Sequence, residues 1–196
     1  MLLLVKPTNW GGRVEMRNRT ETTQVGCLCG HVQLEVERAP IVSAECCCNS
    51  CREAGARLQT LPDAPPILDT KGATRFVLYR KDRVHFLKGT DLLKEFKLTS
   101  DAKTRRVVAT CCNTPIFLEF KGGHWLSLYG DIWPEGMLPP LEMRTMTADL
   151  PDGMSLPDDV PNAKSQTLPF FVKLMGAWIA MGFRSPKVPV KGEFHV

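Results

Sequence analysis

A mainly β, largely antiparallel fold is predicted for this chain by three observations. Short β-type runs follow one another from residue 75 to residue 128, turn residues separate them at close intervals, and helical periodicity is confined to two places. Residues 1–22 show no clear period and read as an N-terminal extension. Val32, Leu34 and Val36 alternate with Gln33, Glu35 and Glu37, the period of a half-buried strand, and Ile41 to Glu45 is expected to partner it. Asn49 or Ser50 is expected to cap a short helix over Cys51–Leu58, where Arg, Glu, Ala and Leu dominate. The stretch 61–67 is loop-like. Strands are then predicted at Arg75–Tyr79, Val84–Leu87, Leu93–Leu98, Arg105–Thr110, Pro115–Phe120 and Trp125–Leu128. Turn signals such as Lys88-Gly89-Thr90 and Gly122-Gly123 divide them.

Beyond Gly130 the composition changes. Prolines at 134, 139, 140, 151, 157 and 161 mark residues 131–167 as an extended connection. It leads to an apolar segment, Leu168–Phe183, in which Leu168, Phe171, Val172, Met175 and Ile179 fall at helical spacing. That segment is too short, and too interrupted by Pro169 and Lys173, to span a membrane. It is expected to pack on the β domain or on a second copy in a homo-oligomer, with peripheral membrane contact as the alternative. The organisation predicted is therefore an extension (1–22), a metal-binding β domain (23–130), a Pro-rich connection (131–167) and a C-terminal helix with its tail (168–196).

A net charge of +4, with Lys and Arg scattered and no run longer than Arg105–Arg106, argues against a nucleic-acid partner. The opening Met1-Leu-Leu-Leu-Val5 is too short for an export signal, so a cytoplasmic, reducing location is expected. In such a compartment clustered thiols are ligands more often than disulfides.

The cysteines carry the chemistry. Seven of the eight fall at metal-ligand spacings: Cys27-x-Cys29, Cys46-x-Cys48-x-x-Cys51, and the adjacent Cys111–Cys112. On extended chain a C-x-C pair points both thiols to one face, and Gly26 and Gly30 permit the tight backbone a metal requires. Cys46, Cys48 and Cys51 supply three ligands, the number found in zinc sites that keep an exchangeable position, and these three are the candidate catalytic residues. Three thiolates leave such a centre at about −1 in charge, which suits holding an incoming thiol better than acidifying water. Cys27, Cys29, Cys111 and Cys112 can close a four-thiolate structural site. One or two Zn2+ per chain are expected. Cys47 reads as a buried neighbour facing away. An iron–sulfur cluster does not fit the spacing, and His31, His85 and His124 are not expected to be ligands.

Gly26-Cys27-Leu28-Cys29-Gly30, then Cys46-x-Cys48-x-x-Cys51-Arg52, then Cys112-Asn113-Thr114-Pro115, resembles the glutathione-dependent formaldehyde-activating (GFA) family, which includes the centromere protein V type. The resemblance covers about residues 23–130 and implies a zinc-stabilised, β-tent-like fold. It implies a structural zinc on the C-x-C pair and a late cysteine pair, with a second zinc on Cys46, Cys48 and Cys51. The activity implied is that of a carbon–sulfur lyase, S-(hydroxymethyl)glutathione synthase-like, with a small thiol such as glutathione as partner. Arg52, Arg57 and Lys71 are candidates to meet its carboxylates. The family's late motif, C-x-x-C-G, would need a cysteine at 109 and a glycine at 113, where this chain has Ala109 and Asn113. That departure points to a less-characterised branch. Alternative functions are a non-catalytic, zinc-stabilised protein-interaction module and a thiol carrier or metal-handling protein.

Overall fold

The computed structural model describes residues 21–188 and 190–194, so most of the 1–22 extension lies outside the described residues. The chain is mainly β. Its ten strands are β1 (Thr22–Gly26), β2 (Gln33–Glu37), β3 (Val42–Cys46), β4 (Thr74–Arg80), β5 (Val84–Lys88), β6 (Leu93–Phe96), β7 (Thr104–Ala109), β8 (Thr114–Phe120), β9 (Trp125–Tyr129) and β10 (Met143–Thr145). Two helices, α1 (Asn49–Leu58) and α2 (Leu168–Ala180), complete it. The strands form a three-stranded sheet, β1-β2-β5, and a seven-stranded sheet, β10-β3-β4-β9-β8-β7-β6. Every pairing is antiparallel except β10 with β3.

The period of two decides what each face of the large sheet carries. Val77, Leu126, Leu128, Phe117 and Val107 are fully buried and belong to one face, which meets the small sheet. The Phe86 ring of β5, for example, stands edge-on to Phe117 of β8 at 6.1 Å. The opposite face carries Ala44, Cys46, Phe76, Leu78, Leu118, Trp125 and Ser127, and α2 lies over it. Apolar residues on both faces explain why β4, β8 and β9 read as nearly continuous apolar runs.

Two expectations are corrected and a third is refined. Ile41 to Glu45 does not pair with β2; β3 pairs with β4 and β10 in the other sheet, and the partners of β2 are β1 and β5. Alternation shows that a strand is half buried but not which strand lies beside it. Within the Pro-rich connection, Met143–Thr145 forms a strand, fixed by Arg144, which bonds Glu45 at 2.7 Å and Asp159 at 2.7 Å. Thirdly, α2 docks through Phe170 and Leu174, both buried, and Phe171 stands half-exposed at the rim of a cavity, while Leu168, Val172, Met175 and Ile179 of the periodic stripe face outward. Because this helix is apolar on most of its surface, its spacing does not say which side meets the sheet. The buried His124 secures the docking by donating from Nε2 to the Leu174 carbonyl at 2.8 Å and stacking on Trp178 at 5.6 Å. No helix among the described residues is long and apolar enough to cross a membrane.

Candidate metal centres

Two groups of cysteines converge, each with all its sulfurs within 4.8 Å of one another: Cys27, Cys29, Cys111 and Cys112 in one, Cys46, Cys48 and Cys51 in the other. The first is built from two hairpin turns. Gly26 leaves β1 so close to the next strand that a Cβ would stand 2.3 Å from the Val32 carbonyl oxygen. The backbone then folds back, with Cys27 N–H donating to Val32 O at 3.0 Å and Val32 N–H to the Cys27 sulfur at 3.2 Å. Across the β7–β8 turn, Asn113 takes a left-handed conformation (φ 53°) and its amide donates to the Pro62 carbonyl at 2.9 Å. That turn lets adjacent Cys111 and Cys112 aim at a common point. Thr114 joins the hairpins by accepting the Leu28 N–H at 3.3 Å.

The sulfur spacings test whether this set fits a metal. Cys27–Cys29 is 3.5 Å, Cys27–Cys111 3.8 Å, Cys29–Cys111 3.4 Å and Cys111–Cys112 4.0 Å. A tetrahedron of thiolates at zinc bond lengths has edges of about 3.8 Å. All of these separations are far beyond a disulfide bond, and all eight cysteines are free. The set therefore fits a closed, four-thiolate ion site joining the small sheet to the large one. His31, two residues beyond Cys29, brings Nδ1 to 3.1 Å from its sulfur. The His31 backbone N–H, with its ring, holds the Cys29 thiol down to about 5. His31 thus stands beside the cluster as a hydrogen-bond partner of Cys29 and is not one of its four converging groups.

The second group forms where β3 runs into α1. Cys46 is the last residue of β3, Cys48 is the N-cap of α1, and Cys51 lies in the first turn. Sequence reasoning expected Asn49 or Ser50 as the cap. Instead the Cys48 sulfur accepts the Cys51 N–H at 3.3 Å, the cap bond ordinarily made by an oxygen. Anionic sulfur is favoured here by the unpaired N–H groups and positive end of the helix. Hydrogen bonds from Cys46 and Cys51, with a smaller contribution from Ser50, draw the Cys48 thiol far below its ordinary value, while Cys46 is pushed up to about 11 by sharing with Cys48. Cys47 is fully buried, faces away and donates its backbone N–H to Thr145 O at 3.0 Å. Burial pushes its thiol up to about 11.

Arg106 places a buried cation behind the N-terminus of α1. Its side chain is 1% exposed, and among the described residues no carboxylate pairs with it. Nη2 donates to the Ser50 carbonyl at 3.0 Å, and Nη1 is buried with no hydrogen-bond partner. Ser50 Oγ in turn lies 3.6 Å from the Cys48 sulfur. A buried guanidinium is costly unless an anion offsets it. Three thiolates around a divalent ion, at about −1, would do so. Nothing in the sequence distinguishes Arg106 from Arg105, which pairs with Glu95 and Glu119; strand register alone turns Arg106 to the other face.

The trio opens into a cavity of about 360 Å³ walled by β3, β4, β8 and β9 and roofed by Phe170, Phe171 and Leu174 of α2. The basic residues nominated for substrate carboxylates do not line it. Arg52 is engaged by Asn49 and the Asp149 carbonyl, Arg57 pairs with Glu53, and Lys71 lies elsewhere.

No family model matches the chain, and no curated protein matches it. One solved structure it is similar to is a Rhodobacter sphaeroides protein described as a structural-genomics target, with a TM-score of 0.43 at 17% identity, covering 71% of this chain and 98% of that one.

Proposed function

We propose that the protein is a zinc-dependent carbon–sulfur lyase of the GFA type, joining a thiol to an aldehyde or cleaving the adduct, at Cys46, Cys48 and Cys51. The observation that carries this reading is the contrast in ligand number and access. Four cysteines at the hairpin turns complete their own tetrahedron, whereas three at the α1 N-terminus border a cavity large enough for a small molecule. Bound at the trio, zinc would supply Lewis acidity that lowers the pKa of an incoming thiol. The chain's residues do the rest. The α1 N-terminus and buried Arg106 offset the negative charge of the sulfurs, and the aromatic side chains of α2 cover part of the cavity. Ser50 Oγ, at the cavity wall beside Cys48, can donate to the aldehyde oxygen as charge develops there. In the forward direction the thiol loses its proton to solvent and a sulfur–carbon bond forms. The carbonyl π pair moves to oxygen, which takes up a proton, so the addition needs no oxidant.

The outward stripe of Leu168, Val172, Met175 and Ile179 favours a second reading, a protein-interaction module stabilised by metal. Metal analysis with the Cys48→Ser variant separates the two. Serine preserves the helix cap. The lyase reading expects two zinc ions per chain in the native protein, one in the variant with the fold intact, and loss of adduct formation with the variant. A native protein holding only one zinc, or a variant with full turnover, overturns it.

A further inference from the structure

We infer that the cavity over Cys46, Cys48 and Cys51 takes a small, uncharged, apolar thiol, and not an ionic one of the glutathione kind. The inference rests on the trio's being a thiol-binding centre, and it assigns the substrate class of that centre.

The lining is what carries it. Among the described residues, 18 side chains border the cavity and none is Asp, Glu, Lys, Arg or His. Its polar groups are neutral: Ser50, Thr104, Ser127, Thr145 and Gln166, besides the three cysteines. The remaining surface is aliphatic and aromatic, with Phe76, Leu118 and Trp125 on the sheet side and Phe170, Phe171 and Leu174 on the helix side.

The cations closest to the trio in the chain do not face the cavity. Arg52 and Arg57 are bound as described, Lys173 on α2 pairs with Glu142, and Arg106 sits behind Ser50 at 1% exposure. A glutathione molecule brings two carboxylates and an ammonium group. Seating its sulfur at the trio would press those charges toward walls that offer no counter-ion, and desolvating unpaired charge disfavours binding steeply. A hydrocarbon or aryl group on the same sulfur would gain from these walls, by roughly the area it removes from water. The volume agrees: about 360 Å³ is at the small end for ligand pockets and suits a single ring or a short chain.

The test is calorimetric binding to the zinc-loaded, full-length protein with three probes: phenylmethanethiol, glutathione, and ethylbenzene, which has the thiol's shape without its sulfur. Phenylmethanethiol is expected to bind at least tenfold more tightly than glutathione. It should also exceed ethylbenzene in the native protein and lose that advantage in Cys48→Ser. Phe171→Arg, at a half-exposed rim position where the fold tolerates charge, is expected to weaken phenylmethanethiol at least fivefold and to narrow the gap to glutathione. Glutathione binding as tightly as phenylmethanethiol overturns the inference and leaves the thiol-binding centre standing. Equal binding of ethylbenzene and phenylmethanethiol to the native protein overturns the centre itself, and the inference with it. Failure of both apolar probes to bind overturns the apolar class directly.

Discussion

The two cysteine clusters use the same atoms for opposite ends. At the hairpin turns, Cys27 and Cys29 come from one sheet and Cys111 and Cys112 from the other, so an ion held there is a cross-link between elements 82 to 85 residues apart in sequence. Its surroundings are backbone turns, and of its four sulfur-bearing residues Cys27 borders a neighbouring cavity lined by Gln24, Leu28, Asp131 and Trp133. At the α1 N-terminus all three sulfurs lie within six residues of chain, so an ion there joins little that local structure does not already join. What surrounds that trio instead is an apolar cavity, a helix end and a buried cation. A metal's contribution to folding depends on how much chain it closes, whereas its chemistry depends on what its free side faces. On the proposed reading, the hairpin cluster serves the fold and the helix-end cluster serves the chemistry.

The sharpest way to break that contrast is to remove one ligand from each cluster and compare stability. Cys27→Ser is expected to cost more than ~4 kcal/mol, in the range reached when a metal is lost, and to separate the β1–β2 hairpin from the β7–β8 turn. Cys51→Ser is expected to cost only about 1–2 kcal/mol, since α1 remains packed through Ala54 and Leu58. Chemical denaturation of both variants, monitored with released zinc, reads the difference. Equal losses would mean that the trio, too, is a folding staple.

Much of this contrast was legible in the sequence, and the gaps have physical causes. Strands β4 to β9 were readable because turn residues punctuate apolar runs, and the trio because its ligands are local: one strand end and one helical turn bring 46, 48 and 51 together whatever the rest of the chain does. The hairpin cluster needed a tertiary fact, the left-handed turn at Asn113, before adjacent cysteines could share a target. Strand partners, the inward side of α2 and the burial of Arg106 are set by register and layer packing, which periodicity does not encode. The neutral lining of the cavity was invisible for the same reason, since it is assembled from six strands and from both helices.

A smaller effect sharpens the electrostatic half of the comparison. Arg106→Met keeps a long, flexible side chain and removes the charge. If the guanidinium offsets the trio, this variant should release zinc from Cys46, Cys48 and Cys51 about tenfold more readily, equivalent to ~1.4 kcal/mol, while the hairpin cluster keeps its affinity unchanged. Competition with a graded chelator resolves the two sites. Parallel weakening of both would show that Arg106 supports the fold at large and has no special relation to the trio.

The smallest effect concerns the roof of the cavity, which only the helix-end cluster has. Burial, reinforced by the cations of Lys81 and Arg80, holds the His124 ring below its ordinary value of 6.5, so the folded protein keeps it neutral and donating to Leu174. When α2 undocks, the ring regains its ordinary proton affinity. The undocked form therefore binds more protons as pH falls, and docking strength is full above about pH 6.5 and declines below it. The buried Phe170 and Leu174, each contributing roughly 1.5–3 kcal/mol, oppose full release, so the expected change is loosening and not dissociation. Hydrogen exchange along Leu168–Ala180 should accelerate between pH 7.5 and 5.5, after correction for intrinsic rates, while exchange in β8 and β9 stays flat. His124→Gln, whose amide can still donate to the Leu174 carbonyl, should remove the pH dependence and leave the docking. A pH response that survives in that variant would place the titrating group elsewhere and leave the roof without a proton-sensitive latch.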